Sequence, residues 1–285
     1  GRSILRYHDG AFTIQRTDTV SRSLRAISMV SPSEGWAAGD HGTPIHYDGK
    51  AWRDVEGPVA GVYNASFGDI EMVRDDDGWL CLFPARFEPP VPSLVMNYDG
   101  ASWEFVPFPA EQNCFTIEMT DNDSGWIGGD FGKLSHYDGS EWRIAESPTT
   151  ELIHDIAMVS PTEGWAVAGV HGTILRYDGT SWRVIPPVTD KTLVSIDFIS
   201  PNEGWAVGRT AMHYLDGSWT EVKLPVSLDG ESDLLRAVEM VSPGEVWAAG
   251  IRGLMLRYGP AQGGDGPSLA NWIDRLSLPA LGSGR

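Results

Sequence analysis

The strongest constraint on this chain is a phrase that it repeats. SPSEGWAAGD at 31–40 returns as SPTEGWAVAG at 160–169 and as SPNEGWAVGR at 200–209. A tryptophan preceded by Gly or Val stands at 36, 79, 126, 165, 205 and 247, so the frame recurs every 39–47 residues. A period of roughly 40 residues is that of propeller blades. Ahead of each of these tryptophans lies an alternating stretch: AISMV, DIEMV, TIEMT, DIAMV, SIDFI and AVEMV. Alternation over five positions is the signature of a strand. SPxEG, or the acidic equivalents RDDDG and DNDSG, then supplies a turn. A second strand of the GWAVG type has small residues that permit close packing. A third strand ends in Tyr-Asp-Gly (PIHYDG, LSHYDG, ILRYDG), which predicts a type I′ turn into a fourth strand starting at Trp52, Trp103, Trp142, Trp182 or Trp219.

One such sheet cannot bury both of its faces, but several arranged about an axis can. The expected fold is therefore all-β: a six-bladed β-propeller of four-stranded antiparallel blades over residues 1–259. The recurring tryptophans, with Met29, Met72, Met119, Met158, Met240 and Phe198, read as core between blades. The last repeat shows three strands, so AFTIQ at 11–15 is expected to supply its fourth, the N-terminal strand closing the ring and removing exposed edges. SILRY at 3–7 is then surplus; the alternative is a seven-bladed ring whose seventh blade is truncated. Residues 260–267 read as a Gly-rich linker and 268–285 as a tail. Within it Leu269, Trp272, Ile273 and Leu276 fit a short amphipathic helix capped by Ser268, either folded back on the propeller or docking a partner.

With 21 Lys+Arg against 39 Asp+Glu the formal net charge is −18, which makes nucleic acid and anionic lipid surfaces poor partners. No apolar run approaches the ~18 residues of a membrane span, so direct membrane insertion is not expected. The opening GRSILRY carries no readable targeting leader. Cys81 and Cys114 fall in or beside apolar runs and read as small buried hydrophobes, with a disulfide between them left open. No metal or cofactor is expected. DNDSG at 121–125 opens like a calcium loop but lacks the later ligands, and turn formation explains it.

The segment EGWAVAGVHGTILRYDGTSW at 163–182 resembles the BNR or Asp-box-like β-propellers, especially those of the photosystem II stability/assembly-factor-like repeat family. The resemblance runs over residues 3–258 and implies a propeller with a scaffolding tendency. Two departures stand out. Asp178 and Gly179 are adjacent, one residue shorter than a full Asp-box before Trp182, and this chain is acidic where the family is expected to hold its client with a basic patch.

Residues that vary within the fixed frame mark where a partner would be met. The loops after the second strands carry Asp40, His41, Asp130, Phe131, His171, Arg209 and Arg252. Blade 2 adds a longer Pro-rich loop, FPARFEPPVPSL at 83–94, with Phe83 and Phe87. Arg25, Asp69, Phe115, His154 and Arg236 are placed at the mouth of the channel. Together with the acidic surface and the tail, these point to a non-catalytic protein-binding propeller: an assembly factor or accessory subunit of a larger extracytoplasmic complex, with membrane-complex subunits among its partners. A lectin-like carbohydrate-binding propeller is the alternative. A sialidase-like hydrolase would need a tyrosine nucleophile at the inner-strand positions, and none falls there.

Overall fold

The alternating stretches do form strands, and the turns fall between them. The computed structural model describes residues 3–17, 23–40, 44–55, 65–84, 94–109, 113–121, 123–228, 230, 234–259 and 271–273. Blade 1 comprises β3 (Leu24–Ser31), β4 (Glu34–Gly39), β5 (Ile45–Tyr47) and β6 (Trp52–Asp54). Blade 2 comprises β7 (Ala65–Arg74), β8 (Asp77–Pro84), β9 (Leu94–Tyr98) and β10 (Trp103–Val106). Blade 3 comprises β11 (Thr116–Asp121), β12 (Ser124–Gly128), β13 (Leu134–Tyr137) and β14 (Trp142–Ala145). Blade 4 comprises β15 (Ile153–Ser160), β16 (Glu163–Ala168), β17 (Thr173–Tyr177) and β18 (Trp182–Val184). Blade 5 comprises β19 (Leu193–Ser200), β20 (Glu203–Gly208), β21 (Ala211–Leu215) and β22 (Ser218–Val222). Blade 6 comprises β23 (Leu235–Ser242), β24 (Glu245–Gly250), β25 (Met255–Gly259) and β26 (Asn271–Ile273). Each is an antiparallel four-stranded meander, and a two-stranded sheet of β1 (Ser3–His8) and β2 (Ala11–Thr17) precedes them. The fold is the expected six-bladed β-propeller. Two compact units share it: among the described residues one holds 3–145 with the first three blades, and the other begins at Glu146 and carries the last three.

All twelve tryptophans of the chain occupy two positions of the repeat, the second strand or the fourth. Trp36 and Ala38 of blade 1 pack with Ile70, Met72, Leu80, Met96 and Trp103 of blade 2. Trp165 and Val167 of blade 4 pack likewise with Ile196, Phe198 and Met212 of blade 5. Trp165 meets Tyr214 at 4.9 Å and lies edge-on to Trp219 at 5.8 Å, as Trp36 meets Tyr98 at 4.9 Å and Trp103 at 5.4 Å. Within each unit, then, the second-strand tryptophan reaches forward into the following blade. The glycine before it is steric: Gly164 stands opposite Met158 on the ladder, and a methyl group there would overlap the Met158 thioether. Blade 6, with Val246 in that place, departs from this device.

Polar side chains lock the seams at the first strands, which are sheet edges with unpaired backbone groups. Asp155 accepts the Ile156 N–H at 3.0 Å on one oxygen and the N–H of Ile196, in blade 5, at 2.9 Å on the other. Asp69 does the same for Ile70 at 2.9 Å and for Ile117 of blade 3 at 3.1 Å. Asp197 accepts from Phe198 at 2.7 Å and from Met240 of blade 6 at 2.6 Å. Ser28 and Ser195 accept from Met72 at 3.0 Å and from Val238 at 3.1 Å.

Several expectations need correction. AFTIQ does not complete blade 6. It pairs with SILRY through a two-residue turn in which Asp9 (φ 50°) and Gly10 (φ 80°) both take positive dihedrals, so a local hairpin wins over long-range closure. The fourth strand of blade 6 comes from the tail. Residues 271–273 are extended, not helical, and Trp272 lies opposite Tyr258 as Trp219 lies opposite Tyr214. A short isolated helix is marginal in water, whereas this segment satisfies an open sheet edge. Leu269 and Leu276 lie outside the described residues.

The Asp-Gly turns also differ in kind. At Asp48, Asp99, Asp138 and Asp178 only the glycine has positive φ, because four residues separate the paired Tyr and Trp. The carboxylate instead caps the loop; Asp178 accepts from Thr180 and Ser181 N–H, each at 3.0 Å, and its carboxyl is held down to about 2, chiefly by the Thr180 hydroxyl. Asp216–Gly217 keeps the type I′ form, with two residues between Leu215 and Ser218. Finally, Cys81 and Cys114 are buried as expected but are joined as a disulfide, Cα atoms 5.6 Å apart, across the seam of blades 2 and 3.

Candidate functional site

The repeat explains its own glutamate before it leaves residues for a partner. Two residues ahead of each second-strand tryptophan stands a polar group, and directly across the ladder from the tryptophan stands another. In blade 4 Arg176 lies 5.1 Å over the Trp165 ring and donates to Glu163 at 2.8 Å. In blade 6 Arg257 covers Trp247 at 6.0 Å and bonds Glu245 at 2.9 Å. In blades 1 and 5 histidines replace the arginines: His46 lies against Trp36 at 4.5 Å and bonds Glu34, and His213 stacks on Trp205 at 4.5 Å with Glu203 3.6 Å away. Burial lowers the pKa of His213 and of His136 in blade 3, whose ring lies tilted against Trp126 at 4.6 Å. These sandwiches brace blades and account for the Glu of SPxEG.

What varies lies at the ends of the strands. Arg25 is the bulged residue of β3 and pairs with Asp40 at 2.7 Å. His154 and Arg236 occupy the same bulge in blades 4 and 6; burial lowers the His154 pKa, the charge of Arg236 adds to this, and its Nε2 meets the Gly169 carbonyl at 2.9 Å. Phe115 immediately precedes β11. Asp69 does not share this place: it sits one residue further in, as a seam clasp, and burial pushes its carboxyl up to about 6. In the short 3-10 turn Asp130–Gly132, Asp130 accepts from Asn113 at 2.6 Å, and Phe131 is 77% exposed with φ 56°. His171 is exposed in the turn after β16. Arg252 lies in the turn Ile251–Gly253 and Phe83 in β8; His41 and Phe87 fall outside the described residues.

Arg209 is the expected residue that the structure sets in a concave site. It lines a pocket of about 480 Å³ with Lys191, Thr210, Glu221, Lys223 and the apolar Val222, Leu224, Val226 and Leu228. Lys191 bonds Glu221 at 2.5 Å and the buried Thr210 hydroxyl donates to it at 2.6 Å, which lowers the Glu221 pKa, Lys191 first. Arg209 donates to the Gly230 carbonyl at 3.3 Å. Three cationic side chains and one carboxylate, itself paired with Lys191, thus line a pocket with an apolar wall, in a chain of net charge −18. The site suits an anionic group attached to an apolar segment. Sequence reasoning missed Lys191, Thr210 and Lys223 because they come from the connections around blade 5, which share no motif. Among the described residues no three His, Cys, Asp or Glu side chains gather as a metal site.

The repeat in this part of the chain has known relatives. Residues 134–250 match the family model described as Photosynthesis system II assembly factor YCF48. The match meets the resemblance read from 163–182 and includes Arg209. Among solved structures, "YCF48 bound to D1 peptide" is 18% identical, covers 92% of this chain and 84% of its own, and superposes with a TM-score of 0.67. YCF48 from Cyanidioschyzon merolae is 15% identical, with coverage of 91% and 87% and a TM-score of 0.66. The WD40 β-propeller domain of Doa1 is 10% identical, with coverage of 91% and 86% and a TM-score of 0.71. At these identities the likeness is one of fold. No curated protein matches the chain.

Proposed function

We propose that this chain is a non-catalytic propeller that binds polypeptide, acting as an assembly factor or accessory subunit of a larger complex. The observation that carries this is the Arg209 pocket, where cationic side chains meet an apolar wall of Val222, Leu224, Val226 and Leu228. The family match over 134–250 and the D1 peptide in a YCF48 of similar fold support the same reading. Subunits of a membrane complex are the partners this implies. An extracytoplasmic compartment is proposed with it, since the Cys81–Cys114 disulfide suits an oxidising environment. Among the described residues no helix is long and apolar enough to cross a membrane. The carbohydrate reading gains nothing, because the repeated Trp and Tyr side chains that would stack on sugars are engaged in blade seams.

Fluorescence anisotropy with labelled peptides, apolar with an acidic C-terminal end, tests the proposal. Binding should weaken at least tenfold in Arg209→Glu and fall with salt, as exposed charge pairing does. Equal binding by wild type and variant, or none at all, would remove the basis of the assignment.

A further inference from the structure

The disulfide occupies a place that the other seams fill with apolar side chains. Cys81 follows Trp79 by two residues and lies across the ladder from Asp69; Ala38, Val167 and Val207 hold the same place in blades 1, 4 and 5. Cys114 comes two residues before Thr116, as Phe67, Leu193 and Leu235 come two residues before Asp69, Ser195 and Ala237. Ala38 shares a buried cluster with Phe67, Val167 with Leu193, and Val207 with Leu235. These three seams and the seam of Cys81 with Cys114 thus carry one contact in four versions, and all eight residues are fully buried.

The cysteine version is short of bulk. Each apolar pair includes a Leu or a Phe, whereas Cys81 and Cys114 offer two small side chains among Trp79, Val95, Ile117, Ile127 and Trp142. Interiors are close-packed, and missing methylenes at a buried contact weaken it. Unjoined, the two thiols underfill their seam. Joined, they link positions 33 residues apart across β9, β10 and the connection into blade 3, and this covalent constraint supplies what packing lacks. The Asp69 clasp on Ile117 crosses the same seam, directly opposite Cys81 on the ladder. With both cysteines fully buried, a reductant reaches the bond only when the seam opens.

We propose that Cys81 and Cys114 are a redox latch set once, during folding: the seam of blades 2 and 3 closes firmly only after a disulfide-bearing oxidant has joined them, and burial then shields the bond from reductants. The partner class is a thiol–disulfide oxidoreductase or a small disulfide such as oxidised glutathione. The thiolate of one cysteine attacks the donor disulfide and forms a mixed disulfide, releasing one donor sulfur as a thiolate. The thiolate of the other cysteine then attacks the shared protein sulfur, and the second donor sulfur leaves. Two protein thiols are oxidised, one donor disulfide is reduced to two thiols, and the protons of the cysteines end on the donor. The latch lies in the unit of the first three blades and does not depend on the Arg209 pocket in the other.

The test compares the whole protein refolded with dithiothreitol and refolded with oxidised glutathione, so no substitution is needed. The oxidised form should melt several degrees higher, and amide exchange at 79–82 and 114–119 should be faster in the reduced form while 193–208 is unchanged. Thiol titration should show the folded, oxidised protein losing its bond to dithiothreitol roughly tenfold or more slowly than the same protein in denaturant. Cys81→Val with Cys114→Leu, the pair used between blades 4 and 5, should restore slow exchange at 114–119 without oxidant, whereas Cys81→Ser with Cys114→Ser should not. Equal melting and exchange of the two wild-type forms, or reduction as fast in the folded state as in denaturant, overturns the proposal. A Val/Leu variant that folds yet exchanges like the reduced wild type does so too, because the bond would then not replace the apolar contact.

Discussion

At Asp155 one carboxylate accepts an N–H from its own strand and another from the following blade. Replacing it with alanine leaves both donors at a half-covered seam without that acceptor, which costs about 1–3 kcal/mol. Asp155→Ala should therefore lower the chemical-denaturation midpoint, while Asp155→Asn, which keeps an acceptor oxygen, should lose less; equal midpoints for wild type and Asp155→Ala would show that the clasp contributes nothing. Glu239 behaves in the opposite sense. Its side chain stays solvent-accessible, yet desolvation by the protein packed around it, and then the charge of Asp197, push its carboxyl from 4.5 up to about 7. The folded state thus binds the proton more tightly than the unfolded one, so stability is fully present below about 4.5 and falls as pH rises through 7. Glu239→Gln should raise Tm at pH 8 and leave it nearly unchanged at pH 4, as read by thermal denaturation at both values.

At the scale of elements, the tail strand decides how blade 6 is finished. β26 pairs three residues with β25, and at roughly 1 kcal/mol net per backbone hydrogen bond its loss is worth on the order of 2–3 kcal/mol. A chain ending at Gly259 should accordingly melt at least a few degrees lower, with faster amide exchange over 255–259; unchanged exchange there would contradict the pairing. The sequence shows why this strand escaped notice and what would have revealed it. Alternation, a turn of the SPxEG or acidic kind and a tryptophan preceded by Gly or Val recur in every blade, so twenty-three strands of blades 1–6 were legible from local pattern. NWI has three residues and follows a Gly-rich stretch, so it offers too little pattern for a strand; its only mark is that Trp272 is the twelfth tryptophan, in a chain whose others all fall in one of two slots. Asp69 was misplaced by one residue for a related reason: the β-bulge ahead of it inserts Gly68 into the ladder, and bulges leave no periodic trace.

For the whole molecule, architecture was legible and the site only partly so. Blade number and strand order follow from repetition, because each unit must bury the same two faces against its neighbours. Arg209 could be singled out as a residue that breaks the frame, but its companions Lys191 and Lys223 arrive through tertiary packing around blade 5, and no spacing announces them. The Cys81–Cys114 pairing stayed open, since it links β8 of blade 2 to the residues just ahead of β11 in blade 3, 33 residues apart.

The forward reach of the seams carries one more consequence. Within each unit the second-strand tryptophan and the first-strand acceptors Ser28, Asp69, Asp155, Ser195 and Asp197 pass from one blade to the next, where the tryptophan meets Met or Phe, so each such blade offers a similar plug in front and a similar socket behind. No single joint records how many joints there are. A gene that gains or loses one whole repeat keeps every remaining joint intact, and blade number becomes a quantity that duplication can change in one event while single substitutions cannot.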